Sequence, residues 1–148
     1  MNAILSIKPQ FVEEILAGKK KFEYRKSVFK QPVKKVYIYA SAPVSRIVGE
    51  FEVAQILASE PSKMWRQTKK YSGISKRFFD GYFNGRSEGY AIEIKNLIHY
   101  ENPVNPYMRI VGFHAPQSFC YIDEIYLLSA YRLWFNLLID KAALIMKQ

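Results

Sequence analysis

The chain opens on an apolar run, Ala3-Ile4-Leu5-Ser6-Ile7, whose composition predicts a short strand. Pro9 follows at a place suited to the first turn of a helix, where a missing N–H is harmless. Phe11, Val12, Ile15 and Leu16 then recur with helical period while Glu13 and Glu14 fall on the solvent side, so a helix is predicted over 9–17, capped by Gly18. From Lys21 to Lys26 the period becomes two, with Phe22 and Tyr24 on one face of an extended segment and Glu23 and Arg25 on the other. Val36 to Ala40 reads as a buried strand, ended by Ser41-Ala42-Pro43. Between Ile47 and Gln55 the alternation turns Phe51 and Val53 inward and Glu50 and Glu52 outward, and Gly49 marks a bulge or a close backbone approach. Tyr90 to Lys95 repeats the pattern.

Two helices are predicted between those strands. A basic one over 61–71 shows Met64, Trp65 and Thr68 on one side. After Gly73, Ser75 is the N-cap of a second over 76–84, on which Phe78, Phe79, Tyr82 and Phe83 form an aromatic set with core packing as its expected use. Trp65, flanked by Lys63 and Arg66, is the better candidate for stacking on a base, although packing on the barrel is its expected role. The segments 102–106 and 115–119 read as loops. From Ile125 to Ile139 a wide apolar face with a polar stripe of Ser129, Arg132, Asn136 and Asp140 predicts an amphipathic helix that packs on the body of the protein or on a second copy in a homodimer. It is not a membrane span: the apolar run is roughly 15 residues, Arg132 interrupts it, and a span needs about 20. Strands without regularly intervening long helices predict an α+β fold with a mixed barrel of five or six strands, and 148 residues are enough for one such core.

Charge changes this picture. The net charge is +9, and it is concentrated: residues 1–35 hold nine Lys/Arg against three Glu, and residues 61–77 hold six against none. Two basic blocks interleaved with aromatics point to an anionic partner, nucleic acid ahead of a membrane surface. Cys120 is the single cysteine, and His99 and His114 lack metal-ligand spacing, so neither a disulfide nor a metal or other cofactor is expected. No phosphate-binding glycine loop, dinucleotide fingerprint, nucleophile elbow or zinc-protease motif occurs, which sets aside the usual P-loop nucleotide hydrolysis. The apolar start is cut by Ser6 and Lys8, unlike a secretory leader, and a cytoplasmic location is expected.

The densest chemistry lies in Gly18-Lys19-Lys20-Lys21-Phe22-Glu23-Tyr24-Arg25. Lys20 and Arg25 around Glu23 keep that carboxylate ionised and bring two cations to one mouth, an arrangement suited to a phosphate or a polarised carbonyl and equally to an ion-pair network bracing the fold. The spacing Gly18, Lys20, Glu23, Arg25 resembles the G-x-K-x-x-E-x-R signature of the ASCH domain, a PUA-like β-barrel module. Ser6-Ile7-Lys8-Pro9, Tyr39 to Pro43, Gly49-Glu50-Phe51 and Pro116 to Tyr121 extend the similarity over about residues 3 to 123. The resemblance implies an ASCH domain over 1–123, with 124–148 as an added C-terminal helix. It implies binding of RNA or a modified nucleoside in a cleft beside the first helix, and a regulatory role as in phage and bacterial members. Lys8, Lys20, Glu23, Arg25, Ser41, Trp65, Arg66, Lys69, Lys70, Gln117, Ser118 and Tyr121 are the ligand-binding candidates. Enzymes of the family imply a second reading, hydrolysis of RNA or of N4-acetylcytidine with Lys20 and Glu23 as the catalytic pair. The amidohydrolases, however, have a threonine where Glu23 stands, and a glutamate supplies no hydroxyl nucleophile.

Overall fold

The computed structural model describes residues 1–123, so the helix expected over 124–148, and any dimer built on it, lies outside the described residues. Six strands form one mixed sheet that curls into a half-barrel. They are β1 (Asn2–Ile7), β2 (Phe22–Arg25), β3 (Lys35–Ala40), β4 (Arg46–Ser59), β5 (Gly89–Val104) and β6 (Phe119–Ile122), in the spatial order β2-β5-β4-β3-β1-β6. β1 and β3 run parallel with α1 (Pro9–Leu16) in the connection between them, while every other pairing is antiparallel. α2 (Pro61–Thr68), a 3₁₀ turn (Lys69–Tyr71) and α3 (Lys76–Tyr82) fill the β4–β5 connection, and α4 (Pro106–Arg109) follows β5.

Ala3, Ile4 and Leu5 are buried in succession because β1 is covered on both faces. On one face Leu5, Ile7, Ile38, Phe51 and Ile92 meet Val12 and Ile15 of α1. On the other, Ile4, Tyr37, Tyr39, Ile47 and Ile122 form a second layer. A third cluster, Tyr24, Met64, Phe79, Phe83 and Ala91, seats α2 and α3 against β2 and β5. Ser75 caps α3 as expected, its Oγ accepting from the N–H of Phe78 at 3.1 Å. Gly49 is a close approach: a side chain there would meet the carbonyl oxygen of Ile98 at 2.4 Å, and the β4–β5 register shifts beside it.

The expected loop at 115–119 holds as far as Ser118, whereas the one at 102–106 needs revision. β5 continues to Val104, which pairs with Ile47, because β4 is long enough to need a partner along its whole length. Phe119 to Ile122 pair with Leu5 to Asn2, a strand too short to announce itself by alternation. β2 and β6 are the two sheet edges, and a side chain closes the seam between them. Nη2 of Arg25 donates to the Ser6 carbonyl at 2.6 Å and Nη1 donates to Oγ of Ser118 at 3.3 Å, joining β2 to β1 and to the approach to β6.

Candidate functional site

A cavity of about 440 Å³ opens at that seam, within the roughly 300–1,000 Å³ typical of small-ligand sites. α1 supplies Phe11, β2 supplies Glu23, Tyr24 and Arg25, α3 supplies Phe78 and Tyr82, and Tyr39 and Tyr107 come from the far side. Six of its nineteen lining residues are aromatic. Phe11 and Phe78 meet edge to face at 5.2 Å between ring centres, and the hydroxyls of Tyr39 and Tyr107 lie 3.3 Å apart.

Lys20 stands in this cavity, 2% exposed. Its Nζ donates to the carbonyl of Ser72 at 3.0 Å, lies 3.8 Å from Oε2 of Glu23 and sits 4.6 Å from the centre of the Tyr24 ring. Burial pulls its pKa below the ordinary lysine value; the charge of Glu23 opposes that shift and the charge of Arg25 adds to it. Glu23 is 5% exposed, with Oε1 3.3 Å from Nε of Arg25, while Oε2 is buried and accepts no hydrogen bond. An acceptor left in that state costs about 1–3 kcal/mol, more when ionised. A ligand N–H delivered to Glu23 would recover part of it.

Glycine at position 73 is what lets the lysine lie there. Its φ is +63°, and a Cβ on it would fall 2.3 Å from Cβ of Lys20. The neighbouring turn is fixed by the Lys21 N–H bond to the Tyr71 carbonyl at 2.9 Å and by Oγ of Ser72 donating to the carbonyl of Ile74 at 2.9 Å. Tyr24 anchors the strand instead of offering a proton. Oγ of Thr68 donates to the carbonyl of Met64 at 2.8 Å, so the 2.7 Å contact with Tyr24 has the phenol as donor. Burial pushes the Tyr24 pKa up to about 12.

Of the residues singled out in the sequence, Lys8, Lys20, Glu23, Arg25, Ser41 and Gln117 line the cavity. Ser118 stands behind Arg25 as its acceptor. Trp65 and Arg66 line a separate shallow groove between α2 and the end of α3, where Trp65 packs on Phe79 at 5.0 Å. Lys69 and Lys70 are on the outer surface beside Tyr71. The Tyr121 hydroxyl accepts from the N–H groups of Lys30 and Gln31 and lies outside the cavity. Sequence reasoning missed the aromatic walls. The α3 set splits by helical face: Phe79 and Phe83 are core, whereas Phe78 and Tyr82 face the cavity. Among the described residues there is no group of three His, Cys, Asp or Glu able to hold a metal ion, and no helix long and apolar enough to cross a membrane.

Comparison with known proteins agrees with this geometry. Residues 5–104 match the ASCH domain model. A large ribosomal subunit protein uL22 of Ureaplasma parvum is 34% identical over 71 residues, 48% of this chain and 23% of that protein, so the chain spans less than a quarter of that relative. An ASCH domain-containing ribonuclease of Zymomonas mobilis is 25% identical over 130 residues, covering 83% of this chain and 85% of the relative. The crystal structure of ASCH from Zymomonas mobilis superposes with a TM-score of 0.81 at 21% identity, over 89% of this chain and 94% of that one. With Lys20, Glu23 and Arg25 of the signature gathered around one cavity and the family model matching two thirds of its length, the chain belongs to the ASCH domain family.

Proposed function

We propose that this protein binds RNA and admits one unstacked nucleotide, or a free nucleoside, into the cavity at the barrel seam. The observation that carries this reading is a buried cation beside a buried carboxylate with an unfilled acceptor, inside aromatic walls. Aromatic faces take a base by stacking. Glu23 accepts from an exocyclic or ring N–H of the base, and Lys20 donates to a base or phosphate oxygen. Arg25 already holds Ser6 and Ser118, and its part is to position Glu23 and keep the seam closed. The family membership, and a relative named as a ribonuclease, support an RNA-related function.

The lowered pKa of Lys20 favours a second reading, metal-independent hydrolysis of RNA or of a modified nucleoside, because a neutral amine can accept a proton from an attacking hydroxyl. The test is wild type against Lys20→Ala, with single-stranded RNA, duplex RNA and N4-acetylcytidine, scored for both products and binding. Binding of single-stranded RNA that weakens on substitution, without products, supports the binding module. Products that vanish with Lys20 support the hydrolase. Equal binding by both proteins, with no products, would remove the cavity from the function.

A further inference from the structure

The two basic blocks, remote in sequence, meet on one face outside the cavity. Lys21 places its ammonium 4.3 Å from the centre of the Tyr71 ring, and Lys70 places its own 5.4 Å from the same ring. Lys19 and Lys69 adjoin them, exposed on the same two segments. Among the described residues none of these four lysines forms an ion pair. Like charges brought together without counter-charges repel, and a fold that keeps them so is built for an anion. Tyr71 is 37% exposed with both ammonium groups over its ring, and a base or sugar rests on it as a lysine turns from the ring to a phosphate. The same turn reaches the cavity. The Tyr71 carbonyl accepts from the backbone of Lys21, and the next carbonyl, that of Ser72, accepts from Nζ of Lys20.

We infer that Lys19, Lys21, Lys69, Lys70 and Tyr71 form a second contact surface for the phosphate backbone of a single RNA strand. It is distinct from the cavity and tied to it through the Tyr71–Gly73 turn. The identity of the polymer rests on the reading of the cavity as a nucleotide site; the anionic character of the partner does not. Single-stranded RNA fits better than a duplex or a membrane surface because the cations bracket an aromatic ring, which offers stacking to an unpaired base.

The test is the salt dependence of binding to a 12-nucleotide single-stranded RNA, alongside binding of a mononucleotide. Lys21→Gln/Lys69→Gln/Lys70→Gln removes three cations from the surface. Lys30→Gln/Lys34→Gln/Lys95→Gln removes three exposed cations elsewhere and controls for net charge. At about 0.7 counterions per phosphate in single strands, the first triple variant flattens the slope of log K against log salt by about 2 and weakens 12-mer binding about 100-fold at 0.1 M salt. The control triple changes the slope by much less, and mononucleotide binding is the same in all three proteins. Tyr71→Leu, which keeps every charge, weakens the 12-mer about tenfold at unchanged slope. Equal slopes for the two triple variants would overturn the inference, as would wild type that binds anionic lipid vesicles but not the 12-mer. A mononucleotide that fails to bind while the 12-mer still depends on the Lys21–Lys69–Lys70 set removes the cavity reading and leaves this surface standing.

Discussion

Three glycines allow the placement of Lys20 to be tested by comparison. Gly73 and Gly85 both have positive φ, +63° and +76°, while Gly81 lies within α3; a Cβ at Gly85 or Gly81 meets nothing within 4 Å, whereas one at Gly73 strikes Cβ, Cγ and Cα of Lys20 at 2.3, 2.8 and 3.0 Å. Gly85→Ala therefore bears only the left-handed backbone penalty of about 1–2 kcal/mol. Gly73→Ala bears that and an overpacking term of about 1–3 kcal/mol, for a total near 3 kcal/mol. Gly81→Ala gains about 0.5–1 kcal/mol from the smaller entropy of its unfolded chain. Urea unfolding measures all three as shifts in midpoint at constant slope. The clash falls on Lys20 itself, so Gly73→Ala also lowers ligand affinity, which Gly85→Ala leaves alone. If Gly73→Ala and Gly85→Ala cost the same and bind alike, Lys20 does not lie against the turn and the account of the cavity fails.

Other expectations follow from burial and titration. Lys20 has a lowered folded pKa, so the unfolded chain binds more protons between that value and the ordinary 10.5, and wild type gains stability relative to Lys20→Met as pH rises through this window; a pH-independent difference in thermal midpoint would contradict the burial. Tyr24 has the opposite sign. Its phenol ionises near 10 when unfolded and at about 12 when folded, so wild type loses stability relative to Tyr24→Phe as pH climbs between them, measured by urea midpoints at several pH values. Phe79 is fully buried and touches Tyr24, Trp65 and Phe83, so Phe79→Ala costs about 3–5 kcal/mol, and a loss below 1 kcal/mol in urea unfolding would show that α3 is not seated there.

What the sequence revealed of this fold depended on how local each signal was. Phe11, Val12, Ile15 and Leu16 gave α1 by period alone, and Phe51 and Val53 gave the inward face of β4. β6 and the far half of β5 depend on pairing with strands distant in sequence, and four residues of β6 carry no readable alternation. The spacing of Lys20, Glu23 and Arg25 located the floor of the cavity because those residues are neighbours on one strand and its approach. Its walls come from Phe11, Tyr39, Phe78, Tyr82 and Tyr107, five positions on four elements with nothing in the chain to mark them as one site. The aromatic run on α3 looked like core because half of it is; which half depends on the rotation of that helix against β2 and β5. Arg25 read as a neighbour of Glu23 at a ligand mouth or in an ion-pair network, and only the curl of the sheet brings Ser6 and Ser118 within its reach.

Entry of a nucleotide into the cavity at Lys20 is read by backbone amide NMR during titration with a short single-stranded RNA. Saturable shifts are expected for the amides of Ile7, Phe11, Lys20, Glu23, Ile74 and Phe78, lost in Lys20→Ala while the fold is retained. Saturable binding that leaves these amides unmoved would contradict such entry.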